Sequence, residues 1–430
     1  MYFKRASLKK FINLNNIDAF ASFIIYGVGL LATLLSDLYV SRRFSVPNIS
    51  EYAFLKSCVF ILGTFCLLGY DQLLVRDPTL ITRVLKSFLI QALLICFISA
   101  LSIHFIKNYS YLDTFLIFCS IYFASLLTYF AAAARANFDL WQSQFYSNFW
   151  RVLVLILLFF SLNFNLRSIN IFLTALACNC IFAFFVKGFT SKEKHSHANS
   201  TAVSKKDSRK MGLAFVFHNT TLILAIYGEQ FFINLNGDSI TSSHLFKYTS
   251  IFTPIAIAIN GFLGFYYGPK IRKQQSSMNA KKYISFTKRN LAISFFNTIL
   301  SVIAGLAYLF YISTKLSDID ILIICSLSVM CVTRGVYISS SVCLGIFGSF
   351  KTLRFTALLS LICTICYILL IYTVLHFFSG IIAARLISLC TLSNWLIRFF
   401  IYNHYSIKSI KEQKIEDEDI PQFKIENTNA

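Results

Sequence analysis

Eight charged residues interrupt the apolar stretches of this chain. They are Asp37, Lys56, Arg151, Glu229, Lys247, Arg334, Arg385 and Arg398. A charged side chain at the centre of a bilayer costs about 2.5–3.5 kcal/mol on insertion scales, so such groups usually face a wet cavity or an opposite charge. Cations in such a cavity can bind a phosphate or an acidic sugar, and carboxylates there can bind a proton or Na⁺.

The cations among these residues differ in depth. Arg334 is the deepest, near the middle of an apolar stretch, and is the first candidate for a cavity-lining residue. Three further candidates, which lie nearer a rim, are Lys56, Lys247 and Arg385. Because long basic side chains can reach the headgroups, an interfacial position is the open alternative for these three. Arg151 and Arg398 lie near predicted helix ends and are expected to reach the interface in the same way.

Two carboxylates, Glu229 and Asp37, are the candidates for binding a coupling ion, since intramembrane carboxylates commonly form ion relays. Glu229 is the stronger candidate because it lies deeper in its apolar stretch. An ion pair of Arg334 with either carboxylate is the alternative role for these groups. The cations outnumber the carboxylates, which favours an anionic ligand.

The elements that must position these charges are long apolar blocks. The chain of 430 residues is 57% hydrophobic and 13% charged, whereas soluble domains are about 25% charged. Blocks of about 20 apolar residues can cross a hydrocarbon core, and each must be a helix because lipid offers the backbone no hydrogen bonds. The predicted spans are 19–40, 53–69, 87–106, 112–133, 149–162, 169–186, 211–233, 249–267, 291–312, 319–347, 355–377 and 381–402.

The distribution of basic residues predicts the orientation of these spans. Most of the 39 Lys and Arg residues lie in one set of alternate connections. The other set holds only Arg42, Arg43, Lys107, Arg167 and Lys315. Cytoplasmic loops are enriched in Lys and Arg, so both termini are predicted to be cytoplasmic. Because the net charge of +20 is spread over short loops with no core of their own, nucleic-acid binding is not predicted.

The longest internal polar segment, 187–210, divides the chain into two halves of six spans each. We therefore predict an all-α membrane protein with about 12 transmembrane helices in two six-helix lobes, an arrangement typical of transporters built from related halves. The predicted units are a cytoplasmic or interfacial N-terminus (1–16), an N-terminal lobe (17–186), a basic cytoplasmic loop (187–210), a C-terminal lobe (211–404) and a polar cytoplasmic tail (405–430).

Several catalytic signatures are absent from the sequence. It contains no G-x-x-x-x-G-K-[ST] phosphate loop, no H-E-x-x-H motif and no serine-triad signature. The chain is therefore predicted to be neither an ATPase nor another enzyme, and no cofactor is predicted.

Two short segments carry a family resemblance. Residues 41–47 (SRRFSVP) with 51–53 (EYA), and then 68–76 (LGYDQLLVR), resemble the "aRxLgpxeyG" and "LGldqalvR" patterns of oligosaccharide flippases of the polysaccharide-transporter family. That family belongs to the multidrug/oligosaccharidyl-lipid/polysaccharide exporter (MOP) superfamily. The matching motif residues are Gly69, Asp71 and Arg76. Residues 230–248 and the helix leading to 267–269 are similar to the start of the family's second half.

The resemblance implies a MATE-like arrangement and a flippase function. The implied substrate is an undecaprenyl-diphosphate-linked oligosaccharide repeat unit, moved across the bacterial cytoplasmic (inner) membrane for O-antigen, capsule or another surface polysaccharide. The implied mechanism is alternating access through a cationic cavity, driven by an H⁺ or Na⁺ gradient. The implied partners are membrane lipid, a polysaccharide polymerase and a chain-length regulator.

Three alternatives remain open from the residues alone. An ion-coupled small-molecule exporter of the same superfamily would share the lobes, although a cavity for cationic drugs should be less basic. A polysaccharide polymerase or ligase usually carries a large outer loop, whereas the predicted outer loops are short. A structural membrane scaffold would not need interior charge.

Overall fold

The computed structural model describes residues 14–76, 78–164, 166–190, 205–273, 278–312 and 319–418. Parts of the predicted units lie outside the described residues. They are 1–13 of the N-terminus, 77 and 165 of the N-terminal lobe, 191–204 of the basic loop, 274–277 and 313–318 of the C-terminal lobe and 419–430 of the tail.

The described residues form thirteen α-helices and one short 3₁₀ turn, Pro78–Leu80, with no strand among them. The helices are α1 (Leu14–Arg43), α2 (Val46–Phe65), α3 (Tyr70–Arg76), α4 (Ile81–Lys107), α5 (Tyr111–Ala136), α6 (Leu140–Phe164), α7 (Ser168–Thr190), α8 (Lys205–Leu235), α9 (Ser239–Lys273), α10 (Ala280–Tyr311), α11 (Ile321–Phe347), α12 (Phe350–Phe377) and α13 (Gly380–Glu418). All but α3 are at least 20 residues long. The prediction of an all-helical protein is confirmed, and each predicted span overlaps one long helix.

The boundary difference that matters most for the charged residues concerns the fifth span, predicted at 149–162. The helix α6 already begins at Leu140. Its first turns carry Gln142, Ser143 and Gln144, and all three are buried. The Ser143 hydroxyl donates to the Ala131 carbonyl of α5 at 2.8 Å, so these polar residues pack inside the bundle. Other helices also extend beyond the predictions, since α7 continues to Thr190, α8 begins at Lys205 and α13 continues to Glu418.

Ten of the described helical segments are long and apolar enough to cross a membrane by length and composition. The two long helices outside this set are α2 and α8, which are more polar and pack against each other. Phe54 stacks on Phe231 and Phe60 stacks on Tyr227, with ring centroids 5.8 and 5.0 Å apart. The two helices are therefore polar because they face protein and a cavity rather than lipid.

The helices form two lobes, α1–α7 and α8–α13, with matching internal pairings. In the first lobe α1 packs on α6, α2 on α5 and α5 on α7. In the second lobe the corresponding pairs are α8 with α12, α9 with α11 and α11 with α13. Each lobe has its own buried core, and the lobes meet through α1 and α2 against α8 and α9.

Polar side chains join the helices within the lobes. Interhelical hydrogen bonds link Ser326 to Ser388 at 2.8 Å and Asn290 to Ser339 at 2.5 Å. In a bilayer, helix association depends on close packing and on such bonds, each contributing about 0.6–2 kcal/mol, because lipid is as apolar as the side chains. The buried polar residues of the long helices therefore fix how the lobes pack, and thereby where the charged residues lie.

Candidate functional site

A cavity of about 310 Å³ lies between the two lobes. Helices α1, α2 and α6 line it from the first lobe, and α8, α9, α11 and α13 line it from the second. The charged side chains on its wall are Asp37, Lys56, Arg151, Glu229 and Arg334. Thus the chain's central charges from both halves converge on one space.

Arg334 reaches the cavity from α11 and rests on an aromatic ring. Its guanidinium carbon lies 5.3 Å from the ring centroid of Trp395, a cation–π geometry. Trp395 is buried, and its indole N–H donates to the Ala225 carbonyl at 3.2 Å. The alternative role, an ion pair with Glu229 or Asp37, is not formed, because neither carboxylate lies within 4.0 Å of the guanidinium nitrogens. Arg334 therefore faces the cavity without an ion pair to any carboxylate in the described part of the chain.

Lys56 and Asp37 neutralise each other on the other side of the cavity. The Lys56 ammonium lies 2.7 and 2.6 Å from the two Asp37 carboxylate oxygens. The Tyr52 hydroxyl adds a longer contact to Asp37 at 3.4 Å. Both charged side chains are largely buried, with 13% and 6% of their surface exposed. Breaking such a pair leaves a buried charge uncompensated, so it is a stable unit.

Arg151 also lines the cavity, and its predicted interfacial position is wrong. Because α6 begins at Leu140, Arg151 lies roughly 17 Å along the helix axis from the helix start. Its guanidinium carbon lies 5.6 Å from the ring centroid of Trp150. The Arg151 Nε atom is buried without a hydrogen-bond partner among the described residues. Arg151 is thus a second cation that faces the cavity, and none of the carboxylates that the structure describes forms an ion pair with it.

Tyr26 on α1 lies near both of these arginines. Its side chain lies within electrostatic range of both Arg151 and Arg334. Its hydroxyl also comes so close to the backbone of Gly261 on α9 that a β-carbon there would collide with it. One aromatic hydroxyl, one guanidinium from the first lobe and one from the second therefore lie in the same region of the cavity.

Glu229 lies on α8 at the cavity wall and is 7% exposed. Its carboxylate accepts one hydrogen bond, from the Thr391 hydroxyl of α13 at 2.7 Å. The Thr391 oxygen lies 3.1 Å from the Tyr367 hydroxyl of α12. Among the residues that the structure describes, no basic side chain forms an ion pair with Glu229. The two carboxylates of the cavity therefore have very different surroundings.

Lys247 and Arg385, predicted as further cavity cations, are not on the cavity wall. The Arg385 Nε atom lies 2.7 Å from a carboxylate oxygen of Asp320, and the Arg385 side chain is 48% exposed. Asp320 caps the start of α11 by accepting from the Ile323 amide at 3.3 Å. Arg385 therefore forms a half-exposed ion pair with the residue that caps α11. This pair lies off the cavity wall.

Arg398 is fully buried, so its predicted interfacial position is wrong as well. It donates to the Thr221 carbonyl at 2.8 Å and to the Thr364 hydroxyl at 2.5 Å. The reason is its face of α13, because Thr391, Trp395 and Arg398 follow helical spacing and all point into the second lobe. Arg398 thus joins α13 to α8 and α12, and it is not part of the cavity wall.

The motif residues Gly69 and Asp71 lie where the lobes meet near the start of α8. Gly69 has φ +74°, and a β-carbon at this position would lie 2.8 Å from the Gly212 carbonyl oxygen and the Val216 nitrogen. The Asp71 carboxylate accepts from the Asn219 side-chain amide at 2.6 Å. Arg76 is the last residue of α3, and its side chain is not among those described. The turn that carries the motif therefore contacts the second lobe directly.

A second polar contact joins the lobes at the other end of α8. The Asn234 side chain accepts from the Ser50 hydroxyl of α2, and its carbonyl accepts from the Lys107 ammonium of α4. Asn219 and Asn234 lie roughly 22 Å apart along α8, with Glu229 between them. The cavity is thus flanked on both sides by hydrogen bonds between the lobes.

Sequence patterns alone did not single out Tyr26, Trp150 and Trp395 as cavity residues. Tyr26 precedes Asp37 by eleven residues, which is about three helical turns and places both on one face. The adjacent Trp150 and Arg151 also form an unusual pair within an apolar stretch. These two spacings are the sequence signals that point to Tyr26 and Trp150 as cavity residues.

Neither a protein-family model nor a curated protein sequence matches this chain. Solved structures do match it. One of them is an outward-facing multidrug-resistance MATE family transporter of the MOP superfamily. It has a TM-score of 0.57 and 13% identity, and the match covers 92% of this chain and 95% of that one. A MOP superfamily transporter from Pyrococcus furiosus gives 0.54 and 14%, covering 93% and 94%. A Vibrio cholerae MATE transporter in its bent form gives 0.53 and 11%, covering 93% and 99%.

The fold of this chain is therefore that of the MATE transporters, over nearly its full length. Identities this low show the fold alone. The predicted MATE-like arrangement of helices is confirmed, while the polysaccharide flippase family remains a prediction.

Proposed function

We propose that this chain is a transporter that moves undecaprenyl-diphosphate-linked oligosaccharide repeat units across the bacterial cytoplasmic membrane by alternating access. One observation carries the proposal: Arg151 and Arg334 face a shared cavity from opposite lobes, and no carboxylate of the described residues pairs with either. The planar guanidinium group can donate two parallel hydrogen bonds to phosphate oxygens, so two such groups on one cavity wall suit a phosphate ligand.

The polar part of such a substrate cannot cross hydrocarbon unaided. Burying an uncompensated polar group costs several kcal/mol, and an isolated charge costs far more. A basic cavity between two lobes can replace the hydration of the diphosphate while the prenyl chain stays in the bilayer. Because one arginine belongs to each lobe, a bound anion attracts both lobes and would hold them together around it.

The size of the cavity limits what it can enclose in this conformation. About 310 Å³ is at the lower end of the range of roughly 300–1,000 Å³ for small-molecule sites. The headgroup fits such a volume, whereas an oligosaccharide needs the lobes to separate. We therefore assign the arginines to the headgroup and expect the sugars to enter a wider conformation.

The surroundings of the transporter complete the proposal. Both termini lie in the cytoplasm, as the distribution of Lys and Arg indicates. An H⁺ or Na⁺ gradient supplies the driving force through Glu229 or Asp37. A polysaccharide polymerase and a chain-length regulator act on the product at the outer face.

A polysaccharide assay with two arginine variants tests the proposal. Arg334→Ala should abolish surface polysaccharide in a complemented null strain while the protein still accumulates in the membrane. Arg385→Ala is the matched control, because Arg385 lies in a peripheral ion pair off the cavity wall, and polysaccharide should stay near the wild-type level. Normal polysaccharide in the Arg334→Ala strain would remove this residue from the mechanism.

The location of the intermediate separates a flippase from a polymerase. In the null strain, lipid-linked repeat units should accumulate on the cytoplasmic leaflet, where an externally added impermeant lectin cannot reach them. Single repeat units accessible on the outer leaflet would instead favour a polymerase.

An ion-coupled exporter of small molecules is the second candidate. The modest cavity volume and the multidrug-resistance MATE transporter among the similar structures favour it. In the P. furiosus protein, a reversed polarity of the binding pocket is taken to suggest a different function, so polarity is a sensible criterion here too. Deletion should then change susceptibility to small toxic compounds, preferably anionic ones, and leave polysaccharide intact.

A further inference from the structure

The sequence motif 68–76 and the end of α5 both contact the second lobe on one side of the cavity. We propose that Asp71 and Arg135 form a latch that closes this side, and that the latch opens when the two charges leave the second lobe and pair with each other. The latch presupposes alternating access, which belongs to the proposed function, but it is independent of the substrate. In the orientation that the distribution of Lys and Arg predicts, this is the cytoplasmic side.

The carboxylate arm of the latch runs from α3 to α8. The Asp71 carboxylate accepts from the Asn219 side-chain amide of the second lobe at 2.6 Å and from the Gln72 side-chain amide of its own helix at 3.2 Å. Gly69 brings this turn against α8, where a β-carbon would meet the Gly212 carbonyl oxygen. Among the described residues, no cation lies within 4.0 Å of the Asp71 carboxylate. The second lobe thus holds this anion by a neutral amide.

The guanidinium arm runs from the end of α5 to α9. Arg135 lies in the last turn of α5, and its guanidinium carbon is 5.1 Å from the ring centroid of Phe265. A β-carbon at Gly268 would lie 2.8 Å from a terminal guanidinium nitrogen of Arg135, so the glycine leaves room for this group against α9. The Arg135 Nε atom is buried and has no hydrogen-bond partner in the described part of the chain. The second lobe thus holds this cation by an aromatic ring and close packing.

The two charges are neighbours within the first lobe, but they do not form an ion pair. Helix α3 packs against α5, and Asp71 and Arg135 act on each other electrostatically. No carboxylate that the structure describes lies within 4.0 Å of the Arg135 guanidinium nitrogens. Each charge therefore has a neutral partner from the other lobe, while a partner of opposite charge is close by in its own lobe. An ion pair between them is an alternative to the contacts with the second lobe.

This arrangement gives the open state a stabilising contact of its own. When the lobes separate on this side, Asn219 and Phe265 move away together, and both charges of the first lobe lose their partners. A charge that loses its partner in a poorly solvated site destabilises the protein strongly. Pairing of Arg135 with Asp71 replaces both lost contacts at once, so neither charge is left uncompensated. Packed interfaces commonly switch between two discrete arrangements through exchanges of this kind.

Distance measurements between the lobes test the guanidinium arm. Spin labels are placed at Thr82 and Lys281, two exposed residues at the starts of α4 and α10 on the latch side. They are attached through non-canonical amino acids, which leaves the native cysteines unchanged. For the full chain in lipid nanodiscs, double electron–electron resonance gives the ratio of open to closed molecules. Gly268→Ala should raise this ratio by about fivefold or more, because the added methyl group displaces Arg135 from α9.

Two further proteins show whether the effect of Gly268→Ala runs through Arg135. Gly345→Ala is the matched control, because Gly345 lies near the end of α11 on the same side, and a β-carbon there has no packing contact within 4 Å among the described residues. The ratio in this control should equal that of wild type. In an Arg135→Gln background, Gly268→Ala should no longer raise the ratio, since the shorter side chain does not reach the added methyl group. An unchanged ratio in Gly268→Ala, or an undiminished effect in the Arg135→Gln background, would overturn the latch.

A double-variant comparison tests the exchange of partners. Arg135→Gln and Asp71→Asn each remove one contact of the closed state, and each also removes the ion pair of the open state. If the pair forms only on opening, the two single effects taken together count its loss twice. The double variant should therefore be more open than the single effects predict, by about two- to fivefold in the ratio, the size expected for a partly solvated ion pair. Additive effects of the two substitutions would overturn the exchange.

These measurements separate the latch from the proposed substrate. The ratio is measured without any ligand, and the melting temperature of each variant confirms that it is folded. If Gly268→Ala opens the protein while the Arg334→Ala strain makes normal polysaccharide, the substrate proposal fails and the latch stands. If the ratio is the same in wild type and in all variants, the lobes do not separate on this side under the control of Arg135, and the latch fails whatever the substrate is.

Discussion

Each half of the cavity has a carboxylate at the same position along its first helix, but the two carboxylates have different partners. Asp37 and Glu229 each lie six residues before the last residue of their helix, in α1 and α8. Asp37 is paired with Lys56, whereas Glu229 receives one hydroxyl hydrogen bond. Equivalent positions in a pseudo-repeated fold have thus become a fixed ion pair in one lobe and an unpaired acid in the other.

One substitution between the halves accounts for much of this difference. Lys56 is the eleventh residue of α2, and the eleventh residue of α9 is Thr249. Both side chains lie on the cavity wall. Since Thr249 brings no charge, the second half has no counterpart of the Lys56 ammonium. The basic character of that half therefore comes from Arg334, which remains available to a ligand.

The largest expected effect follows from breaking the fixed pair. Lys56→Met should leave Asp37 as an uncompensated buried charge and lower stability by about 3 kcal/mol, the lower end of the range for broken buried pairs because Lys56 is 13% exposed. The melting temperature of the purified protein, followed by intrinsic fluorescence, measures this loss. The double variant Lys56→Met/Asp37→Asn should recover most of it. If the double variant melts as early as Lys56→Met, the loss arises from packing rather than from charge.

A lysine placed in the second half should create a copy of the fixed pair. Thr249→Lys is expected to pair with the Glu229 carboxylate on the same cavity wall. Adding Glu229→Gln should then lower stability by about 3 kcal/mol, as breaking a buried pair does, whereas in the wild-type background Glu229→Gln should change the melting temperature little. Thr253→Lys, one turn further along α9 on the same cavity wall, is the control. An equally small effect of Glu229→Gln in the Thr249→Lys and wild-type backgrounds would contradict the equivalence of the two positions.

The sequence was a good guide to which helices exist and to which charges are unusual. Long apolar blocks predict helices because lipid leaves the backbone no other partner. The same reasoning identified Arg334, Glu229, Asp37 and Lys56, all of which reach the cavity wall. The cost of a charge in hydrocarbon is large enough that a residue type at a given depth is itself informative.

Prediction failed where depth was judged from the edge of an apolar block. Arg151 seemed close to a helix end because the buried Gln142 and Gln144 made the start of α6 look like a loop. Arg398 shares the buried face of α13 with Thr391, so its place near the end of an apolar block does not bring it to the interface. Hydropathy records composition along the chain, whereas burial depends on which face of a helix meets another helix.

The smallest expected effect concerns the aromatic rings beneath the two cavity arginines. Trp395→Phe should weaken the support for Arg334 and reduce affinity for farnesyl diphosphate by roughly two- to fivefold, because cation–π contacts contribute about 0.5–1 kcal/mol when partly solvated. Trp150→Phe makes the same change beneath Arg151. The loss in Trp150→Phe should be of similar size, because the two guanidinium carbons lie 5.3 and 5.6 Å from their ring centroids. Unchanged affinity in both variants would mean that the rings do not hold the two arginines in the cavity.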